Sequence, residues 1–121
     1  MKLSVVDNIL IRSNANNGNT AIWCLPGFAD SGAAFSALYD TEFAKSTQII
    51  TPDLPGFGSS PVHNHICTIK AYVTTLLELI NKVTPEAKLG FVGHSVGSIL
   101  AVEAALKLDD RCMACFRSKA I

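Results

Sequence analysis

The sequence has few charged side chains, few aromatic side chains and few histidines. Charged residues make up 17% of the 121 residues, and ten basic side chains balance ten acidic ones. Because no basic stripe is present to neutralise phosphates, nucleic-acid binding has no electrostatic support. No segment approaches the roughly 18 apolar residues of a membrane span, and Asp7 and Asn8 interrupt the start before a signal-peptide core develops. These absences predict a cytoplasmic protein that acts on a small molecule, with no nucleic acid and no membrane span.

The apolar content indicates a folded core rather than a disordered chain. Apolar residues account for 49% of the sequence, which suits a single domain over residues 1–121. Four cysteines are present, and Cys24 and Cys67 stand alone. Cys112 and Cys115 form one C-x-x-C pair, for which we predict buried, structural thiols. The alternative is a redox or metal site, which would require both thiols to be exposed close to further ligands.

Short apolar segments alternate with turn-forming residues along the whole chain. Thr68 is suited to cap a helix, and residues 52–61 form a loop rich in glycine and proline. The pattern predicts strands near residues 3–6, 9–12, 20–25, 48–51, 88–92 and 112–116, and helices near 32–39, 68–82 and 96–108. Alternating strands and helices imply an α/β fold, with a mostly parallel sheet and helices on both faces.

The stretch Gly93-His94-Ser95-Val96-Gly97 is the strongest functional signal in the sequence. It reads Gly-x-Ser-x-Gly between a predicted strand and a predicted helix, which is the pattern of a nucleophile elbow. The turn that lifts Ser95 is so tight that bulky neighbours would clash, hence the glycines at positions 93 and 97. We expect His94 to point away from the serine and to pack beneath the turn.

Two further loops follow predicted strands, one over residues 25–32 and one over residues 53–60. With the elbow, and in this order, they resemble the α/β-hydrolase family, in its serine esterase, lipase and thioesterase branch. The resemblance covers about residues 3–116. It implies a serine-dependent hydrolase of carboxylic esters or thioesters, acting through an acyl-enzyme on Ser95, with a small-molecule ester or acyl substrate and no metal or organic cofactor.

The resemblance also assigns roles to individual residues. The backbone amides of Phe28 and Val96 are the expected oxyanion-hole donors. Ser98 stands where the family often has a second glycine. Asp53 is expected to fix its own turn.

The sequence departs from the family pattern after the elbow. The family places its catalytic acid and histidine after the serine, whereas the three histidines here are His63, His65 and His94. We expect an α/β-hydrolase core truncated after about the sixth strand. His63 or His65 would then have to act as the base, although a solvated loop histidine is the simpler interpretation.

Such a core would end in an exposed sheet edge near residues 113–116, open to a partner chain or to self-association. The alternative function is therefore a catalytically inactive remnant that binds a ligand or a partner.

Overall fold

The fold is a six-stranded sheet with helices on both faces. The structure is a computed structural model that describes residues 2–14, 18–27, 32–54 and 68–118. The strands are β1 Lys2–Val6, β2 Ile9–Ser13, β3 Thr20–Leu25, β4 Gln48–Asp53, β5 Lys88–His94 and β6 Cys112–Ser118. The helices are a 3₁₀ helix at Gly32–Asp40, α1 at Phe43–Ser46, α2 at Ile69–Val83 and α3 at Val96–Lys107. The segment expected as an ordinary helix near 32–39 is therefore a 3₁₀ helix.

The sheet is mixed, in the order β1-β2-β4-β3-β5-β6. The four strands β4, β3, β5 and β6 are parallel, while β1 and β2 pair antiparallel at one side. The predicted mostly parallel sheet is confirmed. Asp7 and Asn8 have φ values of 52° and 66° and join β1 to β2 in a two-residue turn, because Val6 pairs directly with Ile9.

Each face of the sheet has its own apolar cluster, which confirms helices on both faces. α2 and α3 bury the larger cluster, which includes Trp23, Leu76 and Phe91. The 3₁₀ helix and α1 bury a smaller cluster around Cys24 and Ile49, and they lie over β2, β3 and β4. On this second face, the described helices therefore leave β5 and β6 less covered.

The predicted cap and the predicted end of α2 are both confirmed. The Thr68 hydroxyl accepts a hydrogen bond from the Ala71 amide at 3.1 Å, and the helix ends before Thr84. Trp23 Nε1 donates to Thr84 Oγ1 at 3.2 Å, which ties the helix end to the centre of the sheet. Among the described helices, none is both long and apolar enough to cross a bilayer.

β4 is longer than predicted and reaches into the expected loop. Pro52 and Asp53 pair with Ile11 and Leu10 of β2. β3 pairs with β4 only up to Ile50, so Pro52 has a neighbouring strand on one side only. Proline lacks a backbone N–H and is tolerated at such an edge position, where one side needs no hydrogen bonds to a strand.

The sequence suggested that Asp53 fixes its own turn, but its side chain pairs with a distant strand. Its carboxylate is fully buried and accepts a hydrogen bond from Arg12 Nη1 at 2.8 Å, which forms an ion pair with β2. A carboxylate taken out of water needs such a partner to remain charged. The pair therefore fixes the point where β4 ends.

The prediction that Cys112 and Cys115 are buried thiols is wrong for Cys115, which is exposed. Cys24 is fully buried, and its burial raises the pKa of its thiol to about 12. Cys112 is half-buried and Cys115 is exposed, because β6 is an outer strand of the sheet. Cys67 lies outside the described residues.

Replacing Arg12 should destabilise the fold far more than replacing Lys82, although each side chain pairs with one carboxylate. Arg12→Met leaves the buried Asp53 without this cation, and we expect a loss of about 3 kcal/mol. The Lys82–Asp7 pair is half-exposed, with side chains 55% and 51% accessible, so Lys82→Met should cost much less, because solvent screens an exposed ion pair. Urea unfolding followed by circular dichroism measures both losses. Equal losses would contradict a structural role for the Arg12–Asp53 pair.

Candidate active site

Ser95 occupies a strained turn between β5 and α3. β5 ends at His94 and α3 begins at Val96, so the predicted strand-turn-helix is confirmed. The backbone of Ser95 has φ 59° and ψ −122°. A serine rarely adopts a positive φ, and such a conformation costs about 1–3 kcal/mol and persists only where its surroundings enforce it. Strain of this kind concentrates at functional sites.

Two glycines make this turn sterically feasible. A Cβ atom on Gly93 would lie 2.4 Å from the carbonyl oxygen of Gly97, and a Cβ on Gly97 would lie 2.1 Å from the carbonyl oxygen of Leu25. Both distances are far below van der Waals contact, and the obstructing atoms belong to backbone that cannot rotate away. The first turn of α3 therefore packs directly against the end of β3.

The hydroxyl of Ser95 is not used to cap α3. Ser95 occupies the N-cap position, yet its side chain makes no capping hydrogen bond, and the residue is partly exposed. Val96 is the first residue of the helix, and the first amides of a helix have no acceptor within it. The positive end of the helix dipole lies there as well, so the position next to Ser95 favours negative charge.

His94 is exposed, which overturns the expectation that it packs beneath the turn. It is the last residue of β5 and pairs in register with Ser118 of β6. Side chains alternate along a strand, so His94 shares the face of Val92. The described helices of that face lie mainly over β2, β3 and β4 rather than over the end of β5.

The carboxyl ends of three neighbouring strands, β4, β3 and β5, lie at the same end of the sheet as Ser95. β3 ends at Leu25, and β4 ends at Asp53 two strands away from β5. Phe28 of the expected oxyanion loop, and His63 and His65, lie outside the described residues. Asp109 and Asp110 follow the far end of α3, which lies at the opposite end of the strands from Ser95.

One contact at the elbow had no signal in the sequence. Ser98, which stands where the family often has a second glycine, donates a hydrogen bond from Oγ to the carbonyl oxygen of Gly93 at 2.9 Å. Within the described residues, no group of three or more His, Cys, Asp or Glu side chains is placed to hold a metal ion.

A family model described as the alpha/beta hydrolase fold matches residues 20–117, which include β3, β5, the elbow and α3. The chain therefore belongs to the α/β-hydrolase fold family. Most of the parallel sheet and the Ser95 turn lie within the matched range, so the family assignment and the site geometry rest on the same elements.

Among solved members of the α/β-hydrolase fold, an alpha/beta superfamily hydrolase from Oenococcus oeni PSU-1 is 28% identical with a TM-score of 0.85. The match covers 97% of this chain and 43% of that one. A thermophilic esterase from Thermogutta terrifontis is 26% identical with a TM-score of 0.75, over 90% of this chain and 40% of that one.

Among curated proteins, Protein PHYLLO, chloroplastic, from Arabidopsis thaliana is 29% identical over 102 residues. The match covers 78% of this chain and 6% of PHYLLO. The chain thus spans less than half the length of each of these three relatives.

Alanine at position 97 should disrupt the elbow, whereas alanine at position 90 should be tolerated. A Cβ at Gly97 meets the backbone of Leu25 and Pro26, but a Cβ at Gly90 meets Ile22 Cδ1 at 2.5 Å, the far end of a flexible side chain. We expect Gly97→Ala to cost more than about 3 kcal/mol and Gly90→Ala about 1–2 kcal/mol. Denaturant unfolding measures both, and a tolerated Gly97→Ala would contradict the close backbone contact.

Proposed function

We propose that this chain carries the nucleophile of a serine hydrolase that cleaves carboxylic esters or thioesters. The observation that carries the proposal is the strained backbone of Ser95, with φ 59°, at the junction of β5 and α3. This turn keeps the hydroxyl out of the helix cap and leaves the residue partly exposed. The similarity to the Thermogutta terrifontis protein, an esterase, supports the ester bond as the target.

In the proposed reaction, Ser95 Oγ attacks the carbonyl carbon of the ester or thioester. The carbonyl π electrons move to oxygen, which gives a tetrahedral oxyanion. We assign its stabilisation to the amides of Val96 and Phe28, and one such donor is worth roughly 10²–10³ in rate. The oxyanion then collapses and expels an alcohol or a thiol, which leaves an acyl group on Ser95. Water hydrolyses this acyl-enzyme to the carboxylic acid.

The reaction also needs a base that removes the proton of Ser95. Within these 121 residues, the candidate bases are His63 and His65, which both precede Ser95. We propose that one of these two histidines, or a residue outside the 121 residues, accepts the proton. Without any base, the oxyanion donors and substrate binding alone would leave a residual acceleration of about 10³–10⁴ over water.

A fluorophosphonate probe tests the nucleophile directly, because it phosphonylates serines that are activated for attack. We expect mass spectrometry of the labelled protein to place the probe on Ser95, and Ser95→Ala to abolish the labelling. Ser36→Ala, at an exposed position of the 3₁₀ helix away from the elbow, serves as the control, since it retains Ser95. A folded protein that takes up no probe at Ser95 would refute the serine-hydrolase proposal for this chain.

The same probe distinguishes the candidate bases. If His63 is the base, His63→Ala should lower the labelling rate steeply while His65→Ala leaves it nearly unchanged, and the reverse holds for His65. If neither substitution lowers the rate, the base comes from elsewhere. His94→Ala is the matched control, because we assign no proton transfer to His94.

A second candidate function is binding through the outer strand β6, which fits the inactive-remnant alternative. Within the described part of the chain, β6 pairs only with β5. Met113 and Phe116 on this strand are 53% and 66% exposed. An apolar strand with an open edge is a template for strand addition. A partner chain or a second copy would cover it.

Sedimentation of the purified protein tests this second candidate. If β6 is a self-association edge, Phe116→Lys should shift the protein to the monomer, because a charge opposes burial against another strand. Val5→Lys is the matched control, since Val5 is 65% exposed on β1 at the opposite edge. A protein that stays monomeric over the whole concentration range would exclude self-association through β6.

A further inference from the structure

Two hydrogen bonds from Ser98 reach the elbow, one to Ser95 and one to Gly93. Its amide donates to the carbonyl oxygen of Ser95 at 2.9 Å, and its hydroxyl donates to the carbonyl oxygen of Gly93, also at 2.9 Å. We propose that Ser98 is a positioning residue that holds the backbone of Ser95 in its strained conformation. This inference rests on the proposed function of Ser95 and adds a residue that determines its geometry.

A strained residue keeps its conformation only where the surrounding structure enforces it. The side chain of Ser95 does not stabilise this conformation by capping, because it makes no capping hydrogen bond to α3. The hydrogen bond from the Ser98 hydroxyl connects the first turn of α3 to Gly93 of β5, which are the two elements on either side of Ser95. Relaxation of the Ser95 turn would move position 98 away from Gly93, so the hydrogen bond opposes that relaxation.

The surroundings of Ser98 strengthen this connection. Ser98 is half-buried, and its Cα lies only 2.6 Å from where a Cβ on Gly93 would be. Water therefore has limited access to the bond between Ser98 Oγ and the Gly93 carbonyl oxygen. A hydrogen bond in such a place typically changes an equilibrium by up to about tenfold.

The same connection orients the Val96 amide, which is the proposed oxyanion donor. Val96 lies between Ser95 and Ser98 in the first turn of α3. Transition-state stabilisation depends on donors that are already aimed at the developing charge. Loss of the Ser98 hydroxyl should therefore impair reaction at Ser95 more than it impairs binding of the probe or substrate.

The first experiment measures the rate of fluorophosphonate labelling at Ser95, well below the unfolding temperature. We expect Ser98→Ala to slow labelling about tenfold, which corresponds to the loss of one hydrogen bond of this kind. Ser98→Thr keeps a hydroxyl and should recover most of the rate. The matched control is Thr74→Ala, which removes a hydroxyl-to-carbonyl bond of 3.0 Å on α2, away from the elbow.

The second experiment does not depend on catalysis. Amide hydrogen exchange at position 98 reports the bond from this amide to the carbonyl oxygen of Ser95. After correction for the intrinsic rate of each residue type, exchange should be about tenfold faster in Ser98→Ala. The amides of α2 should be unchanged, whereas Thr74→Ala should affect only α2.

The two experiments separate this inference from the proposed function. Absence of labelling in the parent protein refutes the serine hydrolase, and the exchange rate at position 98 then decides whether Ser98 holds the turn. Unchanged exchange at this position in Ser98→Ala overturns the inference. Equal acceleration of exchange throughout the sheet also overturns it, because Ser98 would then contribute only to global stability.

Discussion

The fold around the candidate site depends on the backbone contact between the first turn of α3 and the end of β3. A Cβ at Gly97 would lie 2.1 Å from the Leu25 carbonyl oxygen, so a glycine is required there. The contact sets where α3 begins and thereby the angle through which the chain turns at Ser95. It also holds Leu25 and Pro26 against the first turn of α3. The turn at Ser95 and the start of α3 are thus fixed by one close approach of two backbone segments.

The scaffold and the proton transfer are separate parts of the proposed chemistry. β5, α3 and the two elbow glycines aim Ser95 without any contribution from a base. Positioning alone contributes to catalysis, and removing a proton from a weakly acidic hydroxyl is a different task. The described residues supply the first contribution. Their structure accounts for the geometry of Ser95, while the base is assigned by proposal to His63, His65 or a residue outside these 121.

Features encoded by neighbouring residues could be predicted from the sequence, and features that depend on distant residues could not. The turn at Asp7 and Asn8, the cap at Thr68 and the elbow each follow from local backbone requirements. Asp53, by contrast, pairs with Arg12, 41 residues away, and no local pattern marks this partner. The exposure of His94 and Cys115 depends on which helices cover which strands, which is a property of the assembled sheet. The Ser98 bond required the angle of the elbow itself.

The pairing of β3 with β5 has a consequence for the order of folding. Leu25 and Gly93 are register partners although 68 residues separate them in the chain. Closing so long a segment is entropically costly and slow compared with forming the β1–β2 hairpin or α2. The strained turn at Ser95 takes its support from the end of β3, so it can be stable only after this closure. Ser95 therefore acquires its geometry late, and a partly folded chain can contain most of its helices before it contains the candidate site.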